Sequence, residues 1–164
     1  MLWIYVTRRY WNLTKLHTLD LSGTKITDVS ALGNLKNLRA LNISETDVTE
    51  VSALKDLKNL HTLDISSTAV RDVSALGNLK NLHTLNLAWT QVEDVSALGH
   101  LKNLRALYLV GAAVRDVSAL GNLTKLRALN LTDTDVTDVS ALGHLPKLYI
   151  HLRKKSSDFD DFKN

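Results

Sequence analysis

Leu13-Thr14-Lys15-Leu16-His17-Thr18-Leu19-Asp20-Leu21-Ser22-Gly23-Thr24-Lys25-Ile26-Thr27-Asp28-Val29-Ser30-Ala31-Leu32-Gly33-Asn34 is the stretch that decides the fold, because its pattern returns. The string Val-Ser-Ala-Leu begins at Val29, Val51, Val73, Val95, Val117 and Val139, an interval of 22 residues each time (51 − 29, 73 − 51 and onward). Six repeats therefore run over residues 13–144 without an insertion or deletion. A fixed period of this size is the mark of a solenoid, in which one supersecondary unit is stacked on the next. Within each unit, alternating apolar residues such as Leu19 and Leu21 predict a short strand with one buried face. That strand must return once per coil to pair with its neighbour, which gives a parallel sheet. Ser30 is expected to cap a short helical or 3₁₀ turn through Ala31 and Leu32, with the Gly33-type residue ending it.

Leu13, Leu16, Leu19 and Leu21, followed by Thr24, Ile26, Val29 and Leu32, resemble the leucine-rich-repeat family. The segment DVSALGNLKNL is similar to the 22-residue repeats of bacterial internalins. The resemblance implies an α/β fold: a right-handed solenoid with a curved parallel sheet on its concave face and short 3₁₀ or helical turns on its convex face. It also implies a module that binds another protein. The family serves adhesins, phosphatase regulators, immune receptors and effectors, so fold alone does not choose a partner. Many members carry Asn at the turn after the strand, where this chain has Thr24, Thr46, Thr68, Thr90 and Thr134, interrupted by Ala112. Those hydroxyls are expected to bond backbone groups of the next coil, and Ala112 to leave a local weakness.

The ends depart from the period. Residues 1–12 are expected to form a degenerate half repeat serving as an N-terminal cap, with Ile4 on the Ile26 position and Tyr10 on the Leu32 position. Residues 145–155 start a truncated seventh repeat in which Leu148, Ile150 and Leu152 alternate one residue early, as a final edge strand would. Arg153-Lys154-Lys155 follow as charges that blunt the edge. Residues 156–164 have the composition of a disordered acidic-aromatic tail.

Composition narrows the function. With 45% hydrophobic residues the 164-residue chain has a sizeable core, and 20 Lys and Arg against 17 Asp and Glu leave a net charge of only +3. That balance does not suggest a nucleic-acid or other polyanion partner. The absence of cysteine rules out disulfides and thiolate metal sites. The apolar start, Met1 to Val6, is too short for a signal-peptide core, and no stretch approaches a membrane span, so the default expectation is a soluble cytoplasmic chain without membrane insertion.

Comparison between coils separates shared positions from free ones. The outward columns are expected to be Thr18, Ala40, Thr62, Thr84, Ala106, Ala128; Asp20, Asn42, Asp64, Asn86, Tyr108, Asn130; and Ser22, Ser44, Ser66, Ala88, Val110, Thr132. Trp89 and Tyr108 are the only aromatics in the six repeats, and with Ala88 and Val110 they should make an apolar patch on an open sheet face. Asn86, Asn130, Asp64 and Asp133 flank it as hydrogen-bonding residues, and His83 and Arg105 lie at the margin. The stripe His17, Arg39, His61, His83, Arg105, Arg127 either meets an acidic partner or solvates the rim. His61 and His83 stand one strand apart, without a third metal ligand, so no metal is expected. Lys36, Lys58, Lys80 and Lys102 snorkel over leucines, with no aromatics interleaved for stacking bases.

No nucleophile with an adjacent base, paired carboxylates or phosphate loop stands out, and no cofactor is implied. The recurring Asp28, Asp72, Asp94, Asp116 and Asp138 read as parts of a turn. The sequence thus favours a non-enzymatic module that binds a partner protein on its concave face. The alternative is a structural solenoid segment that self-associates end to end through uncapped ends.

Overall fold

The computed structural model describes residues 13–153. The expectations for residues 1–12 and 154–164 lie outside the described residues. Seven strands, β1 (Thr18–Asp20), β2 (Ala40–Asn42), β3 (Thr62–Asp64), β4 (Thr84–Asn86), β5 (Ala106–Tyr108), β6 (Ala128–Asn130) and β7 (Tyr149–His151), form one parallel sheet in chain order among the described residues. Equivalent residues pair through the array, as Leu41 with Leu63 and Leu63 with Leu85. The last pairing, Ala128 with Tyr149 and Leu129 with Ile150, comes one residue short of the period, because the Arg127 position has no counterpart before β7.

Each strand is three residues long, and an Asx turn ends β1 to β4 and β6. Asp64 Oδ1 accepts the backbone N–H of Ser66 at 2.9 Å, Asn86 Oδ1 that of Ala88 at 3.1 Å and Asn130 Oδ1 that of Thr132 at 3.0 Å. Such a side-chain bond offers the backbone a turn in place of further strand. The next residue then takes a left-handed conformation: φ is 55° at Glu45, 54° at Ser67, 57° at Trp89 and 56° at Asp133, with Gly23 and Gly111 at 64°. Coil-to-coil pairing nevertheless continues through the turn, for Trp89 N donates to Val110 O at 2.7 Å.

Three details correct the sequence reading. The Thr hydroxyls serve their own coil, not the next: Thr46 Oγ1 donates to Ile43 O, Thr68 to Ile65 O and Thr90 to Leu87 O, each at 2.7 Å. Ser30 does not cap its 3₁₀ turn (Ser30–Asn34); Asp28 Oδ1 does, accepting Ser30 N at 2.7 Å, while the Ser30 hydroxyl donates to Asp28 Oδ2 at 2.9 Å. The Gly33-type residues serve a close approach and not a left-handed turn, and only the second coil, with Lys55, has a side chain at this position among the described residues. A Cβ at Gly33 or Gly77 would sit 2.6 Å from Ala53 O or Ala97 O of the next coil.

The return path is a five-residue 3₁₀ turn in most coils, as at Ser74–Asn78 and Ser96–His100, and no α-helix occurs among the described residues. Between sheet and turns lies one continuous core. Leu41, Leu63, Leu85, Leu107 and Leu129 form one fully buried column, and Val51, Val73, Val95 and Val117 another. Each such leucine contributes about 2 kcal/mol through burial. The terminal coils are less covered, with Leu19, Leu21, Ile26, Val136, Val139 and Leu148 only partly buried.

Candidate functional site

The open face of the sheet carries the candidate residues. Trp89 and Tyr108 stand out on it, 58% and 38% exposed, against leucines at 0% close to them in the chain. Both owe their position to the coil. Tyr108 ends β5 where other coils place Asp or Asn, so it faces outward but forms no Asx turn. Trp89 occupies the left-handed turn after β4, which aims its side chain away from the core. The indole packs against Gly111, where an added Cβ would fall 2.2 Å from Trp89 Cε3. An L side chain there would displace the ring.

Strict alternation fails one residue earlier. Ala88 is only 9% exposed and Ser44 is 8%, so the expected outward column through Ser22, Ala88 and Val110 turns inward at these coils. The Asx bond and the left-handed residue that follows rotate this position toward the core and bring the next one out. Ala88 is accordingly a support for the patch and not part of its surface, whereas Val110 remains half-exposed. Thr132, in the same column, buries an Oγ1 that has no hydrogen-bond partner among the described residues.

The flanking polar residues are already engaged. Asp64 Oδ2 accepts from Asn86 Nδ2 at 3.0 Å, tying two coils across the face, and the Oδ1 atoms of Asp64, Asn86 and Asn130 hold their own turns. Asp133 sits at the left-handed position of the coil after Gly111. At the margin, the His61 and His83 rings lie 5.0 Å apart, tilted by 53°. Burial first, then the positive charges of Arg105, His61 and Lys125, hold the His83 pKa below its ordinary value. Arg105 is exposed. No group of three or more His, Cys, Asp or Glu suited to a metal ion occurs among the described residues.

An asparagine column escaped the sequence reading. Asn59 Nδ2 donates to Lys36 O at 2.9 Å, Asn81 to Lys58 O at 2.8 Å and Asn103 to Lys80 O at 2.9 Å, so each amide staples its coil to the one before. The recurrence of Asn37, Asn59, Asn81 and Asn103 was the available signal. On the opposite flank, shallow clefts between coils are lined by residues such as Asp72, Asp94, Ser96 and Asp116. These carboxylates accept the backbone N–H of Ser74, Ser96 and Ser118 at 2.7–2.8 Å.

These features define a parallel-strand solenoid with one uncovered sheet face. A family model described as a leucine-rich repeat region matches residues 7–154. The chain belongs to the leucine-rich-repeat family, and its structural relatives include internalins. An internalin C2 from Listeria monocytogenes shares 33% identity with a TM-score of 0.83, over 87% of this chain and 63% of that one. Another internalin from the same organism shares 31% at TM-score 0.82, over 87% of this chain and 44% of that one. A leucine-rich-repeat protein of Leptospira interrogans shares the fold at 23% identity and TM-score 0.77, over 84% and 37% of the two chains. The chain thus spans less than two thirds of these proteins' lengths. Among curated proteins there is no sequence match.

Proposed function

We propose that this chain is a non-enzymatic recognition module that binds a partner protein on the open sheet face, across its fourth and fifth coils. One observation carries the reading: two large aromatic side chains, Trp89 and Tyr108, stand exposed on neighbouring coils of a face otherwise made of small and polar residues. Exposed aromatics ringed by polar groups are the usual anchors of protein interfaces. Half-buried Val110 extends the apolar area, and Asn86, Asn130 and Asp64, held by their own hydrogen bonds, supply its polar border together with Asp133. His83 and Arg105 close it at one margin. Membership of a family whose scaffold generally mediates protein contacts supports the same reading.

The test replaces both anchors with residues that the chain itself uses at those positions. Trp89→Ser follows Ser67, and Tyr108→Asn follows Asn86 and Asn130, so the coil geometry is kept. Affinity capture with mass spectrometry should lose the specific partner with the double variant, while circular dichroism and melting stay as in the wild type. Undiminished capture by a folded double variant would reject this site.

The end-to-end reading draws on a different observation. Tyr149 and Leu152 are 68% and 51% exposed on or beside β7, which pairs with β6 alone among the described residues. Sedimentation that shows a monomer at high concentration would reject association through that edge.

A further inference from the structure

The net charge of +3 conceals a separation of charge across the sheet. In every coil the residues leading into the strand, Leu35 to Ala40 and their equivalents, include Lys, Arg or His and not one Asp or Glu. The carboxylates gather on the far rim, after the strand, at positions such as Asp28, Glu50, Asp72 and Asp94. In the turns that lead into the basic rim the sole carboxylate is Asp56, which Lys36 and Lys58 share at 3.8 and 4.0 Å.

Not all of the basic groups are available. Lys80 Nζ donates to Gly77 O, Lys102 Nζ to Asn122 O, and Arg127 Nη1 to the carbonyls of Thr124, Leu126 and Pro146. The two lysines tie off the ends of 3₁₀ turns, and Arg127 joins the segment before β6 to the one before β7. By contrast, the exposed side chains of Arg39 and Arg105 form no hydrogen bond or ion pair among the described residues, and between them stand the neighbouring rings of His61, whose Nδ1 is held by Asn59 O at 2.6 Å, and His83. Arg39, His61, His83 and Arg105 occupy one position on four consecutive coils, so they make a row with a rung about every 4.8 Å. The groups facing His83 are themselves basic: Arg105, His61 and Lys125.

We infer that this row is a second binding surface, which takes an acidic polypeptide segment of a partner protein. A run of carboxylates laid along it supplies the missing counter-charge, with the guanidiniums as paired donors at each end and the imidazoles between them. No Trp, Tyr or Phe stands among Arg39, His61, His83 and Arg105 for stacking bases, which sets the row against single-stranded nucleic acid. Binding carries a proton with it. Burial and the neighbouring positive charges hold the His83 pKa below its ordinary value in the free chain, and a carboxylate arriving beside the ring favours its charged form, so affinity rises on acidification and declines as pH rises. The row shares His83 and Arg105 with the margin of the aromatic patch, but Arg39 and His61 lie beyond it and neither Trp89 nor Tyr108 belongs to the row.

Fluorescence anisotropy of the full chain with a labelled oligo-aspartate peptide tests it, with oligo-asparagine and oligothymidine as comparison probes. Oligo-aspartate should bind in preference to both, about tenfold more tightly at about pH 5.5 than at about pH 7.5, the effect of a one-unit histidine shift. Arg39→Gln with Arg105→Gln should weaken binding at least about tenfold, the loss of two charge-assisted contacts. His61→Gln with His83→Gln should keep the binding seen at the higher pH and abolish the gain on acidification. Lys25→Gln, on the far rim, should change nothing. Equal binding of oligo-asparagine, or unchanged affinity in the folded arginine variant, overturns the site. Tighter binding of oligothymidine overturns the polypeptide assignment, and tighter oligo-aspartate binding after deletion of residues 156–164 reassigns the rim to the chain's own acidic tail.

Discussion

Trp89 holds its exposed place by two local conditions, a left-handed backbone and a glycine beneath the ring. A non-glycine residue at φ 57° carries a cost of roughly 1–2 kcal/mol in that backbone region. The two conditions can be separated by experiment. Gly23→Ala meets no atom within 4 Å and should cost about 1 kcal/mol through φ alone. Gly111→Ala adds a collision with the indole, so urea denaturation should show a larger loss. In a Trp89→Ala background that excess should vanish, leaving the Gly23-like cost; an excess that persists would place its origin in the backbone of the fifth coil. The aromatics themselves were legible in the sequence because they break their columns. The inward turn of Ala88 was not, since strict alternation holds only while the backbone stays extended, and the following residue is left-handed.

Within a coil, the Asp-Val-Ser step fastens the outgoing turn. Asp72 Oδ1 accepts Ser74 N at 2.7 Å, whereas Glu50, one methylene longer at the equivalent position, makes no such bond among the described residues. Asp72→Ala should therefore cost about 1 kcal/mol, as the loss of a helix cap does, and Glu50→Ala close to nothing. Chemical denaturation of the two variants checks the pair, and equal losses would show that the carboxylate acts by charge and not by this bond. The same bonds make stability depend on acid. Hydrogen bonds from the serine backbone N–H first, then from the hydroxyl, hold Asp28, Asp72, Asp116 and Asp138 below the ordinary aspartate value of 3.8. Because the folded values are the lower ones, their contribution is present above 3.8 and is lost as pH falls through the folded values. A melting temperature that falls steeply below about pH 4 is expected, and a flat profile there would remove these carboxylates from the stability of the coil. That the Asp row is structural was legible in its recurrence. The capping role of Asp28 in place of Ser30, and the close approach at Gly33, were not, because both depend on distances between particular atoms that spacing along the chain does not give.

At the scale of the whole molecule, the interval of 22 residues determined almost everything about the fold, since each coil covers its leucines only against the next and the chain has one register that does so throughout. Even the departure at β7 was legible, for the one-residue shortening visible at Leu148, Ile150 and Leu152 reappears in the pairing with β6. Charge is where the sequence total misled, for a sum near zero says nothing about two rims of opposite sign. Stacking places like charges on successive coils at about 4.8 Å, while the opposite signs lie across the width of the sheet. Only three ion pairs occur among the described residues, Lys36–Asp56, Lys58–Asp56 and Arg115–Asp135, all exposed and at 3.8–4.0 Å, so they contribute little. Repulsion along each rim then outweighs attraction between them. Raising sodium chloride from about 10 mM to about 150 mM shortens the screening length from roughly 30 Å to roughly 8 Å, which weakens the longer-range repulsion between coils along a rim. The melting temperature should therefore rise with salt over this range. A protein held by surface ion pairs would show the reverse, and a fall in melting temperature here would mean that the two rims attract each other across the sheet more strongly than the coils repel along it.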